Sequence, residues 1–281
     1  MADVVTSLRD AHTRYTGPAA LAHRVAVLPF LVEMYGTVEA PTYVVTKVAP
    51  GLDDEFAPGS TIEHWSGVPI DRAVQRHATQ EVGGRPDSQR AWAVQSLTFR
   101  SLQFGPPPDE EWVVVGYRPP GKGGRRRAAK ETRIPWRIVD TSTLAPDADA
   151  RDLPLAAGDD RALALAVDPA AEAVRRAKVL LFSPVVLSGG QANAPEARRR
   201  SPRGGRSATP TMTVIPTQLP GTLKALHIDA PGGPFGYLRI YAFDTRSEPF
   251  VAELVRLAVE LPERGLIIDV RSNPGGYIWA A

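Results

Sequence analysis

Gly265-Leu266-Ile267-Ile268-Asp269-Val270-Arg271-Ser272-Asn273-Pro274-Gly275-Gly276 is the stretch whose reading decides the fold. Its first half is a short, continuous apolar run, the pattern of a parallel strand buried on both faces. Its second half breaks that strand into a loop. Two adjacent glycines there open backbone angles closed to other residues and let another chain approach closely. Amides at such a turn can face a developing oxyanion. Upstream, Gly236-Tyr237-Leu238-Arg239-Ile240-Tyr241 alternates as a strand. Phe250, Val251, Leu254, Val255, Ala258 and Leu261 then recur at helical spacing on one predicted face. Strand, helix and strand in this order make a βαβ unit, whose crossover is expected to be right-handed.

Working back from that unit, residues 140–212 are dominated by alanine, arginine, proline and aspartate. Arg198 to Arg206 has too little apolar surface to order itself, whereas Ala170 to Pro184 reads as one amphipathic helix running into Val179-Leu180-Leu181-Phe182. Further back lies a β-rich region. Leu28–Tyr35 and Tyr43–Val48 read as strands joined by a turn over Gly36–Pro41. Ser60–Trp65 reads as a short strand, Ser66-Gly67 as a tight turn, and Ile70–Ala78 as a helix with Ile70, Ala73, Val74 and His77 on one side. A second helix is expected from Asp87 to about Phe99, and a late strand pair over Trp112–Tyr117 and Thr132–Val139. Residues 1–16 read as a helix end, with Val4, Val5 and Leu8 on one face, and then a polar loop.

The phrase from Phe235 through the helix to Gly276 resembles the opening of the catalytic core in the C-terminal-processing (tail-specific) serine peptidases. Order, spacing and residue type agree over about 45 positions. The resemblance implies a serine endopeptidase with a Ser/Lys pair, no cofactor and a polypeptide substrate. It also implies that one amide of the glycine pair, Gly275 or Gly276, belongs to the oxyanion hole. The family's nucleophile and base come later in the chain than this loop. The 281 residues are therefore expected to stop before them and to be inactive alone. Ser272 is not at the family's attacking position, and Lys178 and Lys224 have no counterpart in it.

Such peptidases commonly carry a PDZ-like domain, and residues 24–139 resemble one. Val27-Leu28-Pro29-Phe30-Leu31-Val32-Glu33 is similar to the carboxylate-binding loop and the peptide-pairing strand that follows it. This makes Leu28, Phe30, Leu31 and Val32 candidate peptide-binding residues. An exposed strand edge there would pair with an extended C-terminal peptide. Pro29 removes one amide from that loop, and Ser60 stands where the family phrase has aspartate after glycine. The alternatives are a β-domain that only packs on the core, and a non-catalytic peptide-binding protein. Asp10-Ala11-His12-Thr13-Arg14-Tyr15 resembles a loop of the same family, whose tricorn-like branch uses a histidine of this region in catalysis. His12 is thus a candidate catalytic residue, the alternative being a brace for the helix end.

The expected architecture is a multidomain α+β and α/β protein. Residues 1–23 end an N-terminal helical segment, and 24–139 form the PDZ-like domain. Residues 140–212 are a partly disordered linker with one helix, and 213–281 begin the βαβ peptidase core. With no cysteine, disulfides, thiolate zinc sites and a cysteine nucleophile are excluded. The histidines show no metal-ligand spacing, so no metal is expected. A net charge of +2 gives no strong field toward nucleic acid. Arg125-Arg126-Arg127 and Arg198-Arg199-Arg200 lack interleaved aromatics and read as solvated loops. No run approaches the ~20 apolar residues of a membrane helix. Met1-Ala2-Asp3-Val4-Val5 lacks the basic-then-apolar order of a secretory signal, although members of the resembled family are often exported. The compartment stays open.

Overall fold

The computed structural model describes residues 2–8, 10, 13, 15–37, 39–81, 85–121, 127–142, 168–182, 211–243 and 245–276. Arg125 and Arg126, the Arg198 run, most of the 140–212 region and His12 lie outside them, whereas Arg127 is described and pairs with Glu55. The chain divides into two compact units, Met1–Thr143 and Leu144–Ala281.

In the first unit, helix α1 (Ala2–Ser7) precedes a β-rich body with two sheets. The smaller sheet has the order β6-β1-β9, with β1 (Arg24–Val27) central between β6 (Phe99–Ser101) and β9 (Arg137–Asp140), both antiparallel to it. The larger runs β2-β3-β4-β7-β8. Its strands are β2 (Phe30–Gly36), β3 (Pro41–Val48), β4 (Thr61–Trp65), β7 (Trp112–Arg118) and β8 (Lys130–Pro135), with β5 (Val68–Pro69) paired to β4. Ser66 and Gly67 make the β4–β5 turn with φ of 47° and 79°. Two successive positive φ values match the twist of a two-residue hairpin.

Helices α2 (Ile70–Ala78) and α3 (Pro86–Ser96) cover this sheet. Ile70, Ala73 and Val74 of α2 join Phe30, Tyr43, Ile62 and Val115 in one core. Phe56 meets both Phe30 and Tyr117 edge-on, at 4.9 Å between ring centroids. The Tyr43 hydroxyl, Asp71 and Arg90 tie β3, α2 and α3 together: Tyr43 donates to Asp71 at 2.7 Å, and Arg90 pairs with Asp71.

Three boundaries differ from the sequence reading. The first predicted strand, from Leu28, divides: Arg24–Val27 enters one sheet and Phe30–Gly36 the other, with Leu28-Pro29 between them. The second helix ends at Ser96, not near Phe99, because Phe99 pairs with Val27. Thr132–Val139 is likewise two strands. Pro135 ends β8 opposite Trp112, and Arg137 starts β9 opposite Val27.

The second unit holds helix α4 (Pro169–Phe182) and one four-stranded sheet. The sheet order is β10 (Thr211–Ile215), β11 (Leu223–Ala230), β12 (Gly233–Ile240) and β13 (Leu266–Asp269), with α5 (Ser247–Glu260) between the last two in sequence. β12 and β13 are parallel, and the other pairs are antiparallel. β11 was not anticipated from sequence. It is the central partner of β12, with Leu223 and Ala225 facing α5 beside Leu238 and Ile240.

Two expectations about burial are corrected. The buried face of α5 is Phe250, Glu253, Leu257 and the following Leu261, with Leu254 beside them. Val251, Val255 and Ala258 lie on the exposed flank, one helical step away. β13 is parallel, as expected, but it is an edge strand of the described sheet. Leu266, Ile267 and Ile268 are 47%, 51% and 57% exposed, so the apolar run is not buried on both faces.

Glu253 is buried but fully paired. It accepts from Thr217 Oγ1 and Gln218 N at 2.8 Å and from Arg256, whose guanidinium also donates to Pro216 O. The hydrogen bond from Arg256 holds its pKa down at about 2, against the opposing effect of burial. This network pins the β10–β11 connection onto α5.

Candidate active-site loop

The loop after β13 is held from several sides. Asp269, the last strand residue, is buried. Its carboxylate accepts from Tyr237 Oη at 2.7 Å, from Arg271 N and Nε at 3.0 Å and from Arg271 Nη2 at 2.7 Å. It also pairs with Arg239 Nη1 at 2.5 Å. Burial pushes its pKa up, but the bonds from Arg271, Arg239 and Tyr237 outweigh that and hold the carboxyl well below the usual range. Arg239 also donates to the Arg271 carbonyl, so Asp269 and Arg239 together clamp the first residues of the loop.

The chain then turns. Asn273 N donates to Val270 O at 3.1 Å, and Ser272 sits at φ 59°, a left-handed angle that costs a non-glycine residue roughly 1 kcal/mol. The Asn273 side chain works in both directions. Its Nδ2 donates to Ile240 O at 3.2 Å, and its Oδ1 accepts from Gly275 N at 2.8 Å. Gly275 O accepts from Phe243 N at 3.0 Å, and Pro274 O accepts from Asp168 N at 2.7 Å. Asp168 also caps α4, its side chain accepting from Ala170 N and Ala171 N at 2.9 and 3.1 Å.

Glycine at 276 is a steric requirement. A Cβ there would lie 2.0 Å from Phe243 O and 2.3 Å from Phe243 C, and φ is +150°. The two glycine amides are not equivalent. That of Gly275 is taken by Asn273 Oδ1, whereas no described residue accepts from that of Gly276.

The other sequence candidates are placed differently. Leu28 and Phe30 are fully buried and Val32 nearly so, and all three belong to the first unit's core. Leu31 is half-buried. Leu28 N donates to Thr98 O at 2.8 Å and Phe30 N to Leu28 O at 2.7 Å, while Pro29 has no N–H. Three consecutive positions of the supposed carboxylate-binding loop therefore have no amide to offer. β2 is nonetheless an edge strand of the described sheet, with α3 alongside it.

Comparison with known proteins bears on the second unit. Residues 234–281 match the model of Peptidase family S41. The S41-matching segment thus runs from β12 through the glycine loop. Among solved structures, mature CPAF complexed with lactacystin is similar over 99% of this chain and 46% of that one, at 16% identity and a TM-score of 0.52. A crystal structure of mature CPAF is similar over 99% and 45%, at 18% identity and a TM-score of 0.52. The chain therefore spans about half the length of these proteins, and at such identity the likeness is one of fold. No curated protein matches the chain.

Sequence reasoning named the glycines but missed what holds them: Asp269, Arg239, Asn273 and the contact from Asp168. An asparagine two residues before a glycine amide is a local signal for the Asn273 turn. The Arg239–Asp269 pair depends on strand register, which only the folded sheet reveals.

Proposed function

We propose that this chain carries the oxyanion-hole side of a serine peptidase related to family S41, acting on polypeptides. The match of residues 234–281 to that family carries the reading. The geometry adds a choice between the glycines. With the Gly275 amide occupied by Asn273, the Gly276 N–H is the one proposed to donate to the tetrahedral oxyanion. One such donor is typically worth a factor of about 10²–10³ in turnover. The family's serine and lysine follow this loop in chain order, so the 281 residues alone are proposed not to hydrolyse peptides.

The test uses the natural gene product beside the pure 281-residue chain. A natural product longer than 281 residues is expected to be labelled by a fluorophosphonate probe at a serine following the glycine loop, with hydrolysis of denatured casein, and the 281-residue chain to stay unlabelled. Casein turnover by the short chain, abolished by a substitution within it, would overturn the reading.

A second reading is favoured by the position of β2. Its open edge beside α3 fits a PDZ-like unit that adds a peptide strand without catalysis. Because the loop amides at Leu28 and Phe30 are engaged, such binding is proposed to rest on strand pairing rather than on capture of a terminal carboxylate. Slowed hydrogen exchange across Phe30–Gly36 on adding an extended peptide would support it, and unchanged exchange at saturating peptide would refute it.

A further inference from the structure

The sheet of the second unit has one face covered by α5. On the other face, Lys224 and Arg239 stand directly opposite each other in the β11–β12 register. Like charges in that position repel, and a sheet does not gain from placing them there. Arg239 and Arg271 share the single carboxylate of Asp269, and that carboxylate is already filled by bonds from both arginines and Tyr237. Lys224 is half-buried and pairs with no carboxylate among the described residues. Burial, and then the Arg239 charge, push its pKa down. Arg239 Nε is buried with no acceptor, and the guanidinium lies over the Tyr241 ring at 5.4 Å. The cluster thus holds three cations and one anion among the described residues. It sits at the end of the sheet from which the glycine loop leaves, since Arg239 bonds the Arg271 carbonyl.

We infer that Lys224 and Arg239 form a subsite for a carboxylate of a bound peptide, next to the glycine loop. A carboxylate is the ligand that offers acceptors to both the Lys224 ammonium and the Arg239 guanidinium and removes their repulsion. The same chemistry comes from a peptide's C-terminus or from an acidic side chain. That the ligand is a peptide rests on the peptidase reading; that it carries a carboxylate rests on the cluster itself.

The experiment is a titration of the 281-residue chain, at low salt, with a leucine–alanine hexapeptide in three forms: free acid, amide, and amide with one internal glutamate. At least one carboxylate form is expected to bind about tenfold more tightly than the uncharged amide. The free acid winning identifies the C-terminus as the source, and the glutamate form winning identifies a side chain. Lys224→Gln is expected to erase the preference while melting at the same or a higher temperature, because it removes a repulsion. Equal binding of all three forms, absence of binding, or a preference that survives Lys224→Gln would overturn the inference. So would loss of the preference with a lowered melting temperature, which would make Lys224 a structural brace. Binding is read without turnover, so a failed hydrolysis assay and a failed titration remain separate results.

Discussion

Replacing Asp269 with asparagine should release the loop that follows it. The carboxylate is 5% exposed and sits between Arg239, 17% exposed, and Arg271, 63% exposed. Asparagine is nearly isosteric but keeps only one acceptor oxygen, and its amide would point N–H groups at guanidinium N–H groups. Arg271 can turn to water at little cost. Arg239 cannot, and it would stay beside Lys224 with no counter-charge among the described residues. Breaking a buried ion pair from one side costs about 3–5 kcal/mol. Because Arg271 rehydrates, the low end, about 3 kcal/mol, is expected. At about 1.4 kcal/mol per decade, that raises the opening of the segment roughly 100-fold. Hydrogen exchange followed by mass spectrometry reads it directly: amides in 236–243 and 266–276 should exchange about 100-fold faster in Asp269→Asn, and those of the first unit should not change. The effect should also depend on pH. The folded pKa of Asp269 lies below the unfolded value of 3.8, so its stabilisation is present above pH 3.8 and is lost as pH falls through the folded value. The difference between wild type and variant should therefore shrink in strong acid. A change of less than about threefold in exchange at neutral pH would refute the clamp.

Two further outcomes follow from the geometry. Gly276→Ala should cost about 2–3 kcal/mol locally, since the new Cβ meets the Phe243 backbone and the Phe243–Gly275 bond must break. Loss of exchange protection at Phe243, with β12 intact, would show it, and unchanged protection at Phe243 would argue against the loss of that bond. His77 in α2 should titrate near pH 4, because burial and then the Arg100 charge disfavour its cation. Its unfolded value is 6.5, so its neutral burial contributes stability above pH 6.5 that is lost as pH falls toward 4. Ring-proton NMR that placed the midpoint above 6 would contradict that burial.

The sequence by itself determined the βαβ order of the second unit, the parallel pairing of the Leu266–Asp269 strand, the Ser66-Gly67 turn and the α2 boundaries, because each is written in local periodicity or turn chemistry. It also marked the Asp269–Gly276 loop. Tertiary structure alone decided the rest. A sequence run such as Leu266-Ile267-Ile268 reports apolarity but not the number of neighbouring strands, so the described edge position of β13 was invisible to it. The stripe on α5 was misplaced by one helical step, because Glu253, a charged residue, belongs to the buried face and is tolerated there through Arg256, Thr217 and Gln218. Leu28 and Phe30 read as peptide contacts, yet a chain crossing between two sheets at Leu28-Pro29 buries their side chains and uses their amides. The inequivalence of Gly275 and Gly276 arises in the same way: one amide meets an asparagine two residues back, and the other meets no described acceptor, a difference of backbone direction that identical residue types do not encode.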